Sequence, residues 1–434
     1  MAQFLKALTV LRKPPVYKLT NNISASILSF GIITFSSSAW ASCECQKAAM
    51  YDHIAYAEVQ CHLAFGLTGA DFKEGLSGFL NIDGSIAIPP QYDYASDFYE
   101  ARAAVTTNQG TGHIDVEGNV VTPLVYDDAG SFCEGRATVL QNDKYGYVDH
   151  DGKLVVTPVY FYAEMFSESR AVVMKDAKQG FIDLSGEVVI PLTYDRAYSF
   201  SEGLALVANS GTYGFINKYG QVIVDLTYDD ATSFSYGVAQ IKQGDKWGLI
   251  DNTGKILAAP QYDYMNPFYD GLALVEKQNK YGYINTKGEQ VINLIYENAH
   301  DFKQGLGLVR QDDKAGFIDN TGKIVLPLRY DFIKYDPMFG SITIEKNNKH
   351  GLVDKTGTIL VPPIYDDIHH VSDNIMIVKQ NEKYGLINTN AQKITAIEYD
   401  QIDGGWDGDK TLIKNGDDSF YLDGQGRRLE KPFD

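Results

Sequence analysis

Rings and acids recur at fixed spacing along the 434-residue chain, and they are the groups from which chemistry could come. Tyr145, Tyr213, Trp247, Tyr281 and Tyr384 each precede a glycine in the same local pattern. Rings in such register can form a platform for a sugar face or an apolar group, so these five are the candidate ligand-binding residues. A second set is Tyr92, Tyr126, Tyr160, Tyr194, Tyr228, Tyr262, Tyr296, Tyr330, Tyr365 and Tyr399, followed by Asp in eight of the ten. Its acids, such as Asp127, Asp195, Asp229 and Asp263, read either as turn formers that need no ligand or as an acidic stripe. The rings read either as amphipathic spacers between units or as a ligand ladder, and the spacer reading is preferred because a repeated residue must first stack the repeats.

Chemistry of other kinds is hard to find. There is no G-x-S-x-G, H-E-x-x-H, phosphate-binding glycine loop or C-x-x-C, and of the eight histidines only His369 and His370 are adjacent. A calcium loop would show a D-x-D-x-D-G run, which is absent. We expect no enzyme, no cofactor and no metal. Four cysteines, Cys43, Cys45, Cys61 and Cys133, are disulfide candidates with three possible pairings. On one straight helix Cys45 and Cys61 would stand about 24 Å apart, whereas a disulfide needs Cα atoms within about 7 Å. Either that helix is broken or Cys61 pairs elsewhere, with Cys133 available; free thiols, or a lipidated Cys43, are the alternative.

The elements that must position these residues form a tandem repeat. Gly78, Gly112, Gly146, Gly180, Gly214, Gly248, Gly282, Gly316, Gly351 and Gly385 mark one position, with Phe420 in that place at the end. Seven successive spacings are 34 residues and the last three are 35, 34 and 35, so length counts units rather than domains. From Gly203 to Tyr236 one unit reads as a first strand (Gly203 to Val207), a second (Tyr213 to Asn217), a third (Gln221 to Val224) and a return segment through Tyr228 and Phe234. Between second and third strands stands D/N-x-x-G, as in Asp149 to Gly152 and Asp251 to Gly254, the chemistry of a type I turn closed by a glycine bulge. Proline follows at Pro89, Pro123, Pro158, Pro191, Pro260, Pro327 and Pro362, and is expected to end the third strand. Tetratricopeptide helices share the period, but Gly and Pro interrupt each unit where two helices would have to run.

Alternation along the second strand predicts a core side, with Ile182, Ile216, Ile250, Ile284, Ile318 and Ile387, and an aromatic side. The mid-strand glycine signals close approach of a neighbour, expected to be a ring of the adjacent unit. The expected fold is all-β: about ten units of roughly three short antiparallel strands, spanning residues 71–434, stacked as an open β-solenoid or superhelix, with a propeller-like ring as the alternative. The first unit is expected to lack a strand and the last to be degenerate, with Trp406 as a plug.

Before the array, residues 42–70 are rich in Ala and Glu, lack proline and predict a short helical cap. Residues 1–41 carry Lys6, Arg12, Lys13 and Lys18, no acid, an apolar run Ile23 to Phe35, and Ala39-Trp40-Ala41, in the order of a signal peptide. Some 13 apolar residues fall short of the roughly 20 that span a bilayer, so no membrane span is expected after cleavage. Lipid anchoring through Cys43 is the alternative. Cleavage removes four cations and no acid, moving the formal charge from −18 to −22. That balance disfavours nucleic acid and anionic membrane, whose affinity comes from Lys and Arg.

The pattern Lys246-Trp247-Gly248-Leu249-Ile250-Asp251, with Gly254 and Lys255, resembles the WG-repeat family of bacterial proteins from about Gly75 onward. Only Trp247 keeps the tryptophan; Tyr145, Tyr213, Tyr281 and Tyr384 replace it, and Gln179, Ala315 and His350 break the pattern. The resemblance implies a non-enzymatic repeat scaffold. A shorter likeness to choline-binding cell-wall hairpins implies a glycan role. Two functions are therefore expected: an exported scaffold, periplasmic or extracellular, that binds another protein at the cell envelope, or a cell-wall or glycan-binding module that uses the aromatic residues.

Overall fold

The computed structural model describes residues 67–71, 75–81, 84–336, 341–354, 356–372, 375–403 and 410–429. Every regular element among them is a β-strand, and the strands form eleven antiparallel sheets in chain order. The signal segment, most of the expected helical cap and Trp406 lie outside the described residues. Residues 67–70, assigned to that cap, are strand instead: Leu67–Asp71 pairs with Ser77–Asn81. The first sheet thus has its first strand, and the segment that would supply its return strand lies outside the described residues.

A full sheet has four strands rather than three. In the unit of Trp247 these are Asp230–Ala231, Val238–Gln243, Lys246–Asp251 and Ile256–Tyr262, side by side in that order. The extra strand is the start of the return segment, where Asp230 pairs with Lys242 and Ala231 with Ile241. Two residues carry no detectable period, which is why alternation did not reveal it.

Both hairpins follow from local chemistry. In most units the first and second strands are joined by two residues with positive φ, such as Asn142 and Asp143 or Gln278 and Asn279, the type I′ turn that matches strand twist. The D/N-x-x-G turn forms as expected: the Asp251 carboxylate accepts the amides of Thr253 and Lys255, and Gly254 has φ +83.

Proline does not end the third strand. In the Trp247 sheet the strand runs through Pro260 to Tyr262, and a bulge intervenes: Trp247 lies opposite Tyr262, but Leu249 lies opposite Ala258. Proline sits in that bulge, where no ladder partner is lost. The bulge also explains the invariant glycine. A Cβ on Gly248 would stand 2.7 Å from both the Ala258 carbonyl oxygen and the Pro260 nitrogen, so the close neighbour is the third strand's own backbone and not a ring.

Sheets pack face to face in sequence. One core joins Leu204, Leu206, Phe215 and Val224 of one sheet to Ala231, Phe234, Ala239, Ile241 and Ile250 of the next. Both faces of each inner sheet are therefore buried, and the expected aromatic side is largely core: Tyr147, Phe215, Leu249, Tyr283 and Leu386 are as buried as the isoleucine row. Rings on the return segments plug these junctions, as Phe200 against Phe181, Phe234 against Phe215 and Phe302 against Tyr283, with centroids 4.8–4.9 Å apart. Such contacts add about 1 kcal/mol beyond the area they bury.

Candidate functional site

The five candidate rings occupy one position, the second residue of the second strand, and all are half-buried. They are not gathered into a pocket. Tyr213, Trp247 and Tyr281 fall in three consecutive sheets, flanked by Gln179 and Ala315; Tyr145 and Tyr384 lie in separate sheets beyond these. Four face the last tyrosine of the third strand, as Trp247 faces Tyr262 and Tyr281 faces Tyr296, and Tyr384 faces Tyr399 across an isolated bridge. Lysines stand over two of the rings: Lys242 Nζ is 5.7 Å from the Trp247 ring and Lys379 Nζ is 5.5 Å from that of Tyr384.

The acids after the tyrosines hold hairpins together. Asp195, Asp263, Asp331, Asp366 and Asp400 each use one carboxylate oxygen for the lysine that begins the second strand, which is Lys178 (2.6 Å), Lys246, Lys314, Lys349 or, for Asp400, Lys383 (2.5 Å). The other oxygen accepts the amide at the tip of the next first-to-second-strand hairpin: Ser210, Gln278, Asn347, Asn381 and Gly416. These bonds, the lysine contact first for most of them, hold the five carboxyls below the usual range. A group that already serves two partners is not a vacant cation stripe. The lysine-to-aspartate spacing of 17 residues was present in the sequence and is the signal that would have revealed the clasp.

A second ladder ties neighbouring units. In the return-segment corner, Glu134 accepts the amides of Glu168 and Ser169, Glu168 accepts that of Gly203, Glu202 that of Gly237, and Asp270 that of Gly305. Ser167 and Ser201 donate to the carbonyls of Phe200 and Phe234. Cys133 takes the place of those serines, fully buried with Sγ 2.8 Å from the Phe166 oxygen. It is disulfide-bonded, and Cys43, Cys45 and Cys61 all lie outside the described residues.

One histidine is embedded in the stack. His113 occupies the position of Phe181 and Phe215, and no part of it reaches solvent. Its Nε2 donates to the Gly130 carbonyl at 2.7 Å, and burial, aided by Arg102, pushes its pKa down to about 4 against the opposing effect of that bond. No group of three His, Cys, Asp or Glu residues able to hold a metal ion occurs among the described residues.

A surface that alternation had assigned to no role lies on the third strands. Their first residues, Ile86, Val120, Leu154, Val188, Val222, Ile256, Ile324 and Ile359, are all exposed, with about half the side chain open at most positions. Gln290, Lys393 and Arg428 occupy the same register in the remaining three units. A second exposed set, Val125, Val159, Ile295 and Ile364, stands just before the structural tyrosine. The third strand is the edge of each full sheet, so both rows run along one flank of the array.

The family model described as WG containing repeat matches ten segments: residues 78–109, 112–145, 145–178, 180–213, 213–247, 247–281, 281–314, 316–336, 351–384 and 384–417. No curated protein matches the chain. Among solved structures, the crystal structure of the eukaryotic initiation factor is 11% identical, covering 76% of this chain and 95% of that one, at a TM-score of 0.30. The structure of Kluyveromyces lactis Hsv2p is 9% identical, covering 57% of this chain and 94% of its own, also at 0.30. Likenesses at those scores carry no argument about shape or activity.

Proposed function

The chain belongs to the WG-repeat family, and we propose that it is an exported, non-enzymatic scaffold that binds another protein at the cell envelope along its third-strand flank. The observation that carries this reading is the row of aliphatic residues exposed at one register position in eight sheets. Scattered apolar residues on a surface need no explanation, but an apolar row repeated in eight units does. The repeated acids and most of the repeated rings are already engaged in holding the array, which leaves this row as its largest uncommitted feature. The edge carries proline and a bulge, which suits contact through side chains rather than addition of a strand. Extended surfaces of this kind are what stacked repeats characteristically offer a partner. Eleven sheets exceed the usual four to eight blades of a closed propeller, which supports an open superhelix; small-angle scattering that gave a compact ring would overturn that shape.

The half-exposed run Tyr213, Trp247 and Tyr281 favours a second reading, a glycan-binding module. Capture from cell-envelope extract separates the two. Recovery of one stoichiometric protein, lost on Val188→Lys with Val222→Lys and kept on Trp247→Ala with Tyr281→Ala, supports the protein scaffold. Recovery of peptidoglycan with the opposite sensitivities supports the glycan module.

A further inference from the structure

The series of phenylalanine plugs ends at Phe302. Phe98, Phe132, Phe166, Phe200, Phe234, Phe268 and Phe302 stand 34 residues apart, and the next position in the series is Asp336. At that junction the return-segment corner is replaced by a longer strand, Phe332–Asp336, paired with Ser341–Lys346 over its whole length. A cleft of about 510 Å³ opens there, within the size range of small-molecule sites. It is lined by Leu306, Leu308, Phe317, Ile333, Ile342 and Tyr335, with a rim of polar groups. The first-strand leucines report the loss of the plug. Leu204, Leu206, Leu272 and Leu274 are buried in their sheets, whereas the equivalent Leu306 and Leu308 are half-exposed. Phe317 is 5% exposed, while Phe215 and Tyr283, which carry plugs, are 0%.

The rim differs in charge from the other junctions. Gln304 stands where Glu134, Glu168, Glu202 and Asp270 supply carboxylates to the inter-unit ladder. Lys303 replaces the Ser or Cys of most other corners, and Lys334 adds a second cation on the facing strand. Neither lysine makes an ion pair among the described residues, in a chain whose second-strand lysines are largely clasped to aspartates. Among the described residues Asp301 is the only acid in the lining, and it accepts a hydrogen bond from Asn266 Nδ2 at 2.8 Å.

We propose that this cleft binds an aryl carboxylate, its ring filling the place that a phenylalanine fills at the preceding junctions and its carboxylate held between Lys303 and Lys334. The ring would lie on Phe317 between Leu308 and Ile333, a geometry the neighbouring junctions already realise with protein rings at 4.8–4.9 Å. Net positive charge at the mouth of an apolar cavity selects an anion over a neutral ring. The same chemistry is carried by a free aryl acid and by the C-terminal phenylalanine of a peptide. This inference rests on the cleft alone and is independent of the third-strand flank.

The test is NMR titration of the purified exported chain with 3-phenylpropionate, 3-phenylpropanol, N-acetylphenylalanine and a peptide ending in phenylalanine. The proposal expects saturable binding of the carboxylates, shifts confined to residues around Phe317 and Tyr335, and affinity weakened about tenfold or more by Lys303→Glu with Lys334→Glu, whose side chains are exposed and outside the core. Preference for the small acids assigns a free metabolite, and preference for the peptide assigns a chain terminus; either supports the site. Absence of binding by any carboxylate, equal binding of the alcohol, or indifference to the double charge reversal would overturn it.

Discussion

His113→Phe should make the protein less sensitive to mild acid. The site receives a phenyl ring in other units, at Phe181 and Phe215, so the substitution suits the packing and removes one hydrogen bond, to Gly130. Wild-type His113 is held near pKa 4 mainly by burial, against 6.5 in the unfolded chain. Since the folded value is the lower one, the unfolded state binds the proton more readily, and stability present above pH 6.5 is lost as pH falls toward 4. One pKa unit is 1.36 kcal/mol, so the wild type should lose about 2 kcal/mol between pH 7.5 and 5 from this group, approaching about 3 kcal/mol at pH 4. The variant should lose none of this. Urea unfolding of both proteins at pH 7.5, 6 and 5, followed by fluorescence and by hydrogen exchange in residues 102–126, measures the difference. Parallel pH profiles would refute the reasoning, as would an NMR titration placing His113 near 6.5.

Two further substitutions probe the architecture. Gly248→Ala should cost about 1–3 kcal/mol, because its methyl meets the fixed backbone of Ala258 and Pro260 rather than a movable side chain; unchanged exchange protection in residues 246–262 would contradict the bulge. Asp263→Asn should lower the urea midpoint at pH 7 by weakening the contacts to Lys246 and Gln278, and the gap from wild type should close as pH falls through the depressed pKa of the carboxyl, where the wild type loses the same contacts. A gap that persists at pH 2 would mean that the carboxylate charge is not what matters.

The repeat, its period and the turn between second and third strands were legible because Gly, Asp and Pro carry their reasons locally: φ > 0 at Gly254, and a carboxylate that bonds its own turn at Asp251. Four features were not legible. The two-residue strands are too short for alternation to register. Pro260 signals a break in hydrogen bonding, which a bulge provides without ending the strand. Alternation also separates two faces without saying whether both are covered, and here the neighbouring sheets cover both, so Leu249 and Tyr283 are core although they lie opposite the isoleucines. Finally, the exposed row Ile86 to Ile359 looked like ordinary strand composition, since β-branched residues suit any strand and only the packed structure shows which are left outside. The candidate rings share one position per unit in the sequence, yet their distribution over separate sheets depends on how units stack.

The central claim is that the third-strand flank, rather than the rings, is the working surface. Its most direct test is affinity for the protein recovered from envelope extract, measured for the purified chain carrying Val188→Lys, Val222→Lys and Ile256→Lys against one carrying Tyr213→Ala, Trp247→Ala and Tyr281→Ala. The account predicts that the lysine triple variant keeps its fold and loses the partner while the alanine variant retains it. Retention by the lysine variant together with loss by the alanine variant would contradict it.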